Sequence, residues 1–397
     1  MDVLDLARLQ FAVTGSLHFL FVVLTLGLAP LVAIMQTLWT FRGNPVHERM
    51  TRFWGQIYVI NYALGIMTGL VMEFQFGLSW SGLSHYAGDV FGAPLAIETL
   101  GAFFLESTFL GLWIFGWHRL PPKLHLACIW IVTLTAYASA FWIMAANAFL
   151  QNPAGAVERG GHLELVDFGA MLTNPMLVFA LPHVIGAALL TGGCVVMGAS
   201  AYHLFRRTAE REFFTKSLRL GVVVAAIGAM VAVGFGFAQF GPVGEFQPGK
   251  FDGGAPLVMA GFGFMILIGE LLQLFIAFFL LPVIYWLPRW RWVHPIVMLI
   301  TPLPFVAAIL GWLAREVGRQ PWLIYGKLTV ADAMSPGLTS GTITLSLVAF
   351  TAVLGLLAVV DYLLIARTVR RGPAAATLGV PSGPGGPAPE RATALSL

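Results

Sequence analysis

An all-α polytopic membrane fold is predicted for this 397-residue chain, and three observations predict it. Charged residues make up 10% of the chain, where a soluble domain carries about 25%. Hydrophobic residues reach 58% and mean hydropathy is +0.82. Runs of about 20 apolar residues, enough to cross roughly 30 Å of hydrocarbon, recur along nearly the whole sequence. Nine such runs lie near residues 11–37, 53–75, 94–117, 124–149, 176–204, 219–239, 256–286, 295–316 and 342–367. Each is expected to be a helix, because lipid offers no partner to an open backbone.

Orientation follows from lysine and arginine. One set of loops holds Arg42, Arg49, Arg52, Arg119, Lys123, Arg206, Arg207, Arg211, Lys216, Arg219, Arg289 and Arg291, with Arg367, Arg370, Arg371 and Arg391 after the last span. The other face has Arg8, Arg159, Lys250, Arg319 and Lys327. The bias predicts an N-terminus outside and a C-terminus in the cytoplasm, as an odd number of spans requires. The net charge of +3 and pI near 9.0 express this asymmetry and do not point to nucleic acid.

The first span starts almost at Met1 without a basic leader, so it is expected to be retained. Cys128 and Cys194 fall inside spans and outside any CxxCH, which leaves covalent haem attachment and a disulfide framework unsupported. Two segments are predicted: a helical membrane domain over 1–371, and a disordered cytoplasmic tail over 372–397, rich in Gly, Pro, Ala and Ser. No internal repeat or second soluble domain is evident.

The polar minority inside the spans carries the chemistry, because ionisable groups are costly there. It consists of His18, Glu73, Glu98, Glu106, His183, Glu270, Arg315, Glu316 and Asp361. At about 1.5 Å per residue, His18, His183, Glu98 and Glu316 come from four helices to one depth, toward the outer face. Two histidines on separate helices suit axial ligation of haem. They also suit hydrogen-bonded packing, and a transporter is a further reading, although transporters usually break their helices at the midplane. Glu98 and Glu106, eight residues apart, form a ladder on one helix face that could pass protons outward. Ser139 and Asn147, also eight apart, could line the same route, or serve only to pack helices.

At this point the residues carry a family likeness. "RLQFA" at Arg8, "MEFQFG" at Met72, "FGAPLAIE" ending at Glu98, "AFFLEST" at Ala102, "QNP" at Gln151 and "GRQPW" at Gly318 follow one another in order. Together they resemble subunit I of the cytochrome bd quinol oxidases. The resemblance implies a terminal respiratory oxidase of the cell membrane that oxidises a membrane quinol near the outer face and reduces O2 to water. It would build proton motive force without pumping. A low-spin haem b would be held by His183 and Met265. A high-spin haem b and a haem d, or a third haem b, would be held by His18 and Glu316 in an order left open, with Glu98 nearby. Arg319 and Arg8 become candidate partners of haem propionates, Trp312 and Trp322 aromatic neighbours, and Glu106 then Glu98 the proton route. A second membrane subunit is implied; a homodimer or a related second copy is the alternative.

The likeness weakens where quinol would bind. The outer loop after the sixth span is short, "FGPVGEFQPGKFDGGAP". Lys250 matches a lysine of the family, but the glutamate expected five residues later is Ala255 and the arginine expected two residues before the methionine is Gly263. Glu245 and Asp252 are candidate substitutes or simple loop charges. Two other functions stay open: a cytochrome b that relays electrons between quinol and a partner without reducing O2, and a haem-free transporter or scaffold.

Overall fold

The computed structural model describes residues 2–250 and 256–380. Among these are nine helices long and apolar enough to cross a membrane. They are α1 (Val3–Arg42), α2 (Pro45–Ser79), α3 (Ser81–Phe115), α4 (Pro122–Gln151), α5 (Phe168–Phe205), α6 (Arg211–Phe246), α7 (Val258–Leu280), α8 (Val293–Val317) and α9 (Ser340–Arg371). Every apolar run named from the sequence lies within or across one of them. Their ends follow local chemistry. The Asn44 side chain accepts from the Val46 N–H at the start of α2, and Thr339 and Thr342 form a reciprocal cap on α9. Gly43 ends α1 in the left-handed region at φ 63°, where a glycine has no Cβ to clash.

Burial shows what holds the bundle together. In their most apolar windows α1 is 61% and α5 67% buried, against 11% for α8 and α9, so α1 and α5 form the centre. α5 packs most extensively on α6, and α1 on α2 and α5. Small residues make the α5–α6 seam close: a Cβ on Gly193 would lie 2.6 Å from the Ala225 amide nitrogen, and one on Gly221 2.9 Å from the Gly193 carbonyl oxygen. In lipid, where apolar burial gives no drive between helices, this backbone approach supplies the contact. Buried polar groups are largely matched, as where Gln36 accepts from the Trp113 indole and bonds the His125 ring.

Three features depart from expectation. α3 starts at Ser81, not near 94, with a kink at Ala87 and a π-helical stretch over Glu98–Phe103. Glu98 is therefore near the middle of a 35-residue helix rather than near its end; Gly82 to Gly92 and Pro94 dilute the apolar signal without stopping the helix. Two small hairpins, Ala156–Arg159 with His162–Leu165 and Trp322–Ile324 with Leu328–Thr329, interrupt the all-α picture. They lie on the α4–α5 and α8–α9 connections, which nine alternating spans put at one end of the bundle. Lys327 and Glu158 join them at 3.8 Å.

The third departure concerns the segment after α9. Up to Val380 it is ordered against the bundle: the Thr377 N–H donates to Gln56 at 2.7 Å, Arg52 to the Leu378 carbonyl at 3.1 Å, and His118 to the Gly379 carbonyl at 2.9 Å. Composition counts what a segment could bury by itself and does not register donors and acceptors waiting on α2 and after α3. Residues 381–397, including Arg391, lie outside the described residues.

Replacing Gly193 by Leu is expected to destabilise the α5–α6 seam by about 2 kcal/mol or more, read as a lower melting temperature of the purified protein in detergent. An unchanged melting temperature would mean that the seam tolerates separation.

Candidate active site

The ionisable side chains of the spans converge. A continuous cavity of about 930 Å³ is lined by His18, Glu98, Glu106, His183, Met265 and Glu316, which come from α1, α3, α5, α7 and α8. Arg8, Ser139, Asn147, Lys250, Trp312, Arg315, Arg319 and Trp322 border the same space. Cys128 and Cys194 are buried in the hydrophobic core away from it. Asp361 is buried elsewhere on α9.

Both histidines are oriented by their Nδ1 atoms. His18 Nδ1 meets the Thr68 hydroxyl at 2.8 Å, and that hydroxyl already donates to the Gly65 carbonyl at 2.6 Å. The imidazole must therefore be the donor. His183 Nδ1 donates to the Ala232 carbonyl at 2.6 Å. In each ring the proton sits on Nδ1 and Nε2 keeps its lone pair, the arrangement of a metal-ligating histidine whose other nitrogen is held by an outer partner.

Glycines leave room around these donors. A Cβ on Gly69 would stand 3.5 Å from His18 Cε1, and one on Gly236 3.1 Å from His183 Nδ1. A Cβ on Gly311 would collide with the Met265 sulfur, and one on Gly15 would meet the Trp312 ring at 2.5 Å. Trp312 also packs on Phe11, with ring centroids 5.9 Å apart.

Glu316 is held from both sides. Asn147 donates to one carboxylate oxygen at 2.8 Å, and Arg319 to the other at 2.7 Å. Arg319 is only 3% exposed, yet its Nε and Nη1 have no hydrogen-bond partner among the described residues. Arg8 likewise keeps an unpartnered Nε beside a 3.9 Å contact to Asp5. A carboxylate has about four lone-pair sites, so Glu316 retains capacity for a metal.

The structure sorts the remaining predicted residues. Ser139 donates to Glu98 at 2.5 Å, and Thr99 donates to the other Glu98 oxygen at 3.1 Å. Asn147 does not join this group; it accepts from Arg315 at 2.6 Å and donates to Glu316. Glu106 is 5% exposed, and its Oε1 has no hydrogen-bond partner among the described residues. Eight residues of α-helix overshoot two turns by about 80°; the wider π turn over Glu98–Phe103 takes up part of that excess. Both carboxylates thus line one cavity.

Lys250 is engaged within the protein. Its Nζ donates to Gln151 at 3.2 Å, Gln247 at 3.1 Å and the Arg315 carbonyl at 3.2 Å. Burial first, then the Arg315 and Arg319 charges, hold Lys250 down to about 7. Of the candidate loop carboxylates, Glu245 is exposed, and Asp252, with Ala255, lies outside the described residues. At Gly263 a Cβ would meet nothing within 4 Å. Sequence reasoning did not find Thr68, Gln247 or the cavity glycines. Thr68 could have been sought, since a ligating histidine needs a partner for its other nitrogen.

The donor set suits haem. Free Nε2 atoms, a thioether, a carboxylate with spare lone pairs, glycine-lined clefts and unpartnered guanidinium N–H groups for propionates all face one space.

Comparison with known proteins agrees with this chemistry. The sequence model of the family described as cytochrome bd terminal oxidase subunit I matches residues 6–253 and 252–373. The chain is 35% identical over 443 aligned positions to the cytochrome bd ubiquinol oxidase subunit 1 of Bacillus subtilis, covering 94% of each. It is 45% identical to the cytochrome bd-II ubiquinol oxidase subunit 1 of Escherichia coli over 63% of this chain and 49% of that one. Its fold superimposes on the bd oxidase from Geobacillus thermodenitrificans with a TM-score of 0.86 at 24% identity, covering 94% of this chain and 99% of that one. With the family's sequence model running through nearly all of the nine-helix bundle and a relative this similar end to end, the chain belongs to the cytochrome bd terminal oxidase subunit I family.

Proposed function

We propose that this chain is subunit I of a quinol:oxygen oxidoreductase of the bacterial cell membrane, oxidising quinol near the outer face and reducing O2 to water without a pumping cycle. The observation that carries this reading is the convergence of His18, His183, Met265, Glu316, Glu98 and Glu106 on one cavity in a chain of this family. Bound haems supply the electron transfer and the oxygen-reducing centre.

The residues divide as follows. His183 and Met265 hold a low-spin haem b, whose potential a thioether raises. His18 and Glu316 hold a high-spin haem b and a haem d, or a third haem b. Arg319 fixes Glu316 as a carboxylate and, with Arg8, turns unpartnered N–H groups toward propionates. Trp312, wedged over Gly15 and against Phe11, is a rigid wall of the site. Protons consumed in making water pass from the cytoplasm through Glu106 to Glu98, with Ser139 as the partner of Glu98; Asn147 serves Glu316 instead. Lys250 fastens the short quinol loop to the last turn of α8.

The asymmetry of Lys and Arg supports an N-terminus outside and a C-terminus in the cytoplasm. The membrane domain is taken as 1–371. A second membrane subunit, related or identical, is the proposed partner. Exposed Phe74, Leu100, Phe104, Leu345 and Leu356 supply an apolar surface for it or for lipid.

The test is a reduced-minus-oxidised spectrum with and without carbon monoxide. A low-spin b signal with a second, carbon-monoxide-sensitive centre is expected; low-spin haem without that response would replace the oxidase by a relay cytochrome. His183→Ala and Met265→Leu are expected to abolish the low-spin signal while sparing part of the high-spin one. An unchanged low-spin band in both would refute the ligand assignment. Thr68→Val, which frees the His18 ring, is expected to weaken haem retention about 10–100-fold, read as haem per protein after gel filtration. Glu106→Gln is expected to slow oxygen uptake by roughly tenfold or more with haem content unchanged; full turnover would exclude Glu106 from the proton route.

A further inference from the structure

Arg315 brings a charge into the cavity that the site described above does not use. Its neighbour Glu316 is taken by Arg319, and Arg315 makes no ion pair among the described residues. Its Nε donates to Asn147, its Nη1 reaches Gln239 only at 3.5 Å, and its buried Nη2 has no partner among the described residues. A guanidinium inside a membrane bundle whose neighbouring carboxylate, Glu316, is already ion-paired to Arg319 is costly. A group that is normally anionic at this spot would offset that cost.

Two helices fix where the spot is. On α8, Gly311 packs against the Met265 sulfur, and Arg315, four residues on, shares its face. On α6, Gly236 packs against the His183 ring, and Gln239, the weak partner of Arg315, is three residues on. Arg315 therefore stands one helical turn, about 5.4 Å, beyond the level of both low-spin ligands, toward the end of the bundle that bears the hairpins. α7 offers no cation of its own beside Met265, since the position two residues earlier is Gly263.

We infer that Arg315 pairs with a propionate of the haem held by His183 and Met265 and, as a fixed positive charge one turn from that haem, raises its reduction potential. The inference rests on the haem reading given under Proposed function. Reduction adds one negative charge to the haem, and a nearby cation stabilises the reduced form. The two arginines of "REVGR" thus serve different anions: Arg319 the Glu316 carboxylate, Arg315 the low-spin propionate. Asn147 holds the two sites together, accepting from Arg315 and donating to Glu316. Arg315 is on this view a positioning residue for electron entry and touches neither quinol nor oxygen.

The experiment is a potentiometric titration of the purified enzyme, with its partner subunit, following the low-spin haem absorbance in the wild type, Arg315→Gln and Arg315→Lys. Arg315→Gln is expected to keep the low-spin band and shift its midpoint downward, and Arg315→Lys to restore most of the shift. A wild-type midpoint in Arg315→Gln overturns the inference. If Arg315→Gln loses the haem, Arg315→Lys decides: a retained haem near the wild-type midpoint supports the role of charge, and loss in both variants assigns Arg315 to packing and overturns it. A wild type without any low-spin haem would be the failure of the functional reading itself, and is seen before any variant is made.

Discussion

Arg319 and Asn147 close on the two carboxylate oxygens of Glu316 inside the bundle, and the rest of the site is arranged around those contacts. Asn147 reaches it from α4, and Arg319 from the turn that ends α8. The same turn carries the Arg315 carbonyl that receives Lys250, so the loop after α6 is fastened to it as well. The turn that carries this buried ion pair is thereby bonded to α4 and to the loop after α6. A buried pair of this kind adds little net stability; its value is positional, because every member has a single place where its hydrogen bonds can be met.

Around it the bundle solves a problem of room. Helices must approach closely enough to hold together in lipid, yet leave a cavity wide enough for flat groups. Glycine answers both demands in different places. On the α5–α6 seam glycines bring backbones together, whereas Gly69, Gly236 and Gly311 keep side chains away from His18, His183 and Met265. α5 is tight against both α6 and α1, where Gly192 meets Gly27, and it lines the cavity at His183.

The nine spans and the ionisable residues that line the cavity were legible in the sequence because lipid makes both conspicuous: apolar runs are long, and an ionisable residue within one stands out. His18, Glu98, Glu106, His183 and Glu316 are such residues, and all reach the cavity. Met265 was legible only through the family likeness, since a thioether in an apolar helix carries no signal of its own. Pairings between helices were not legible. Asn147 was read with Ser139 along the Glu106–Glu98 route because the two are eight residues apart, but it bonds Glu316 instead. The start of α3 was obscured by a glycine-rich stretch, and the hairpins by their shortness.

The segment after α9 has a mechanical implication. α9 is among the least buried helices of the bundle, and within it packing falls mainly on α1 and α2. Residues 373–380 cross back to Gln56, Arg52 and His118, with Leu378 seated near Gly55 and Gly379 against the Trp117 ring. The last helix is therefore moored at its far end by the chain that follows it. It behaves as a stave held by a hoop, and its alignment with α1 and α2 depends on residues outside the nine long helices.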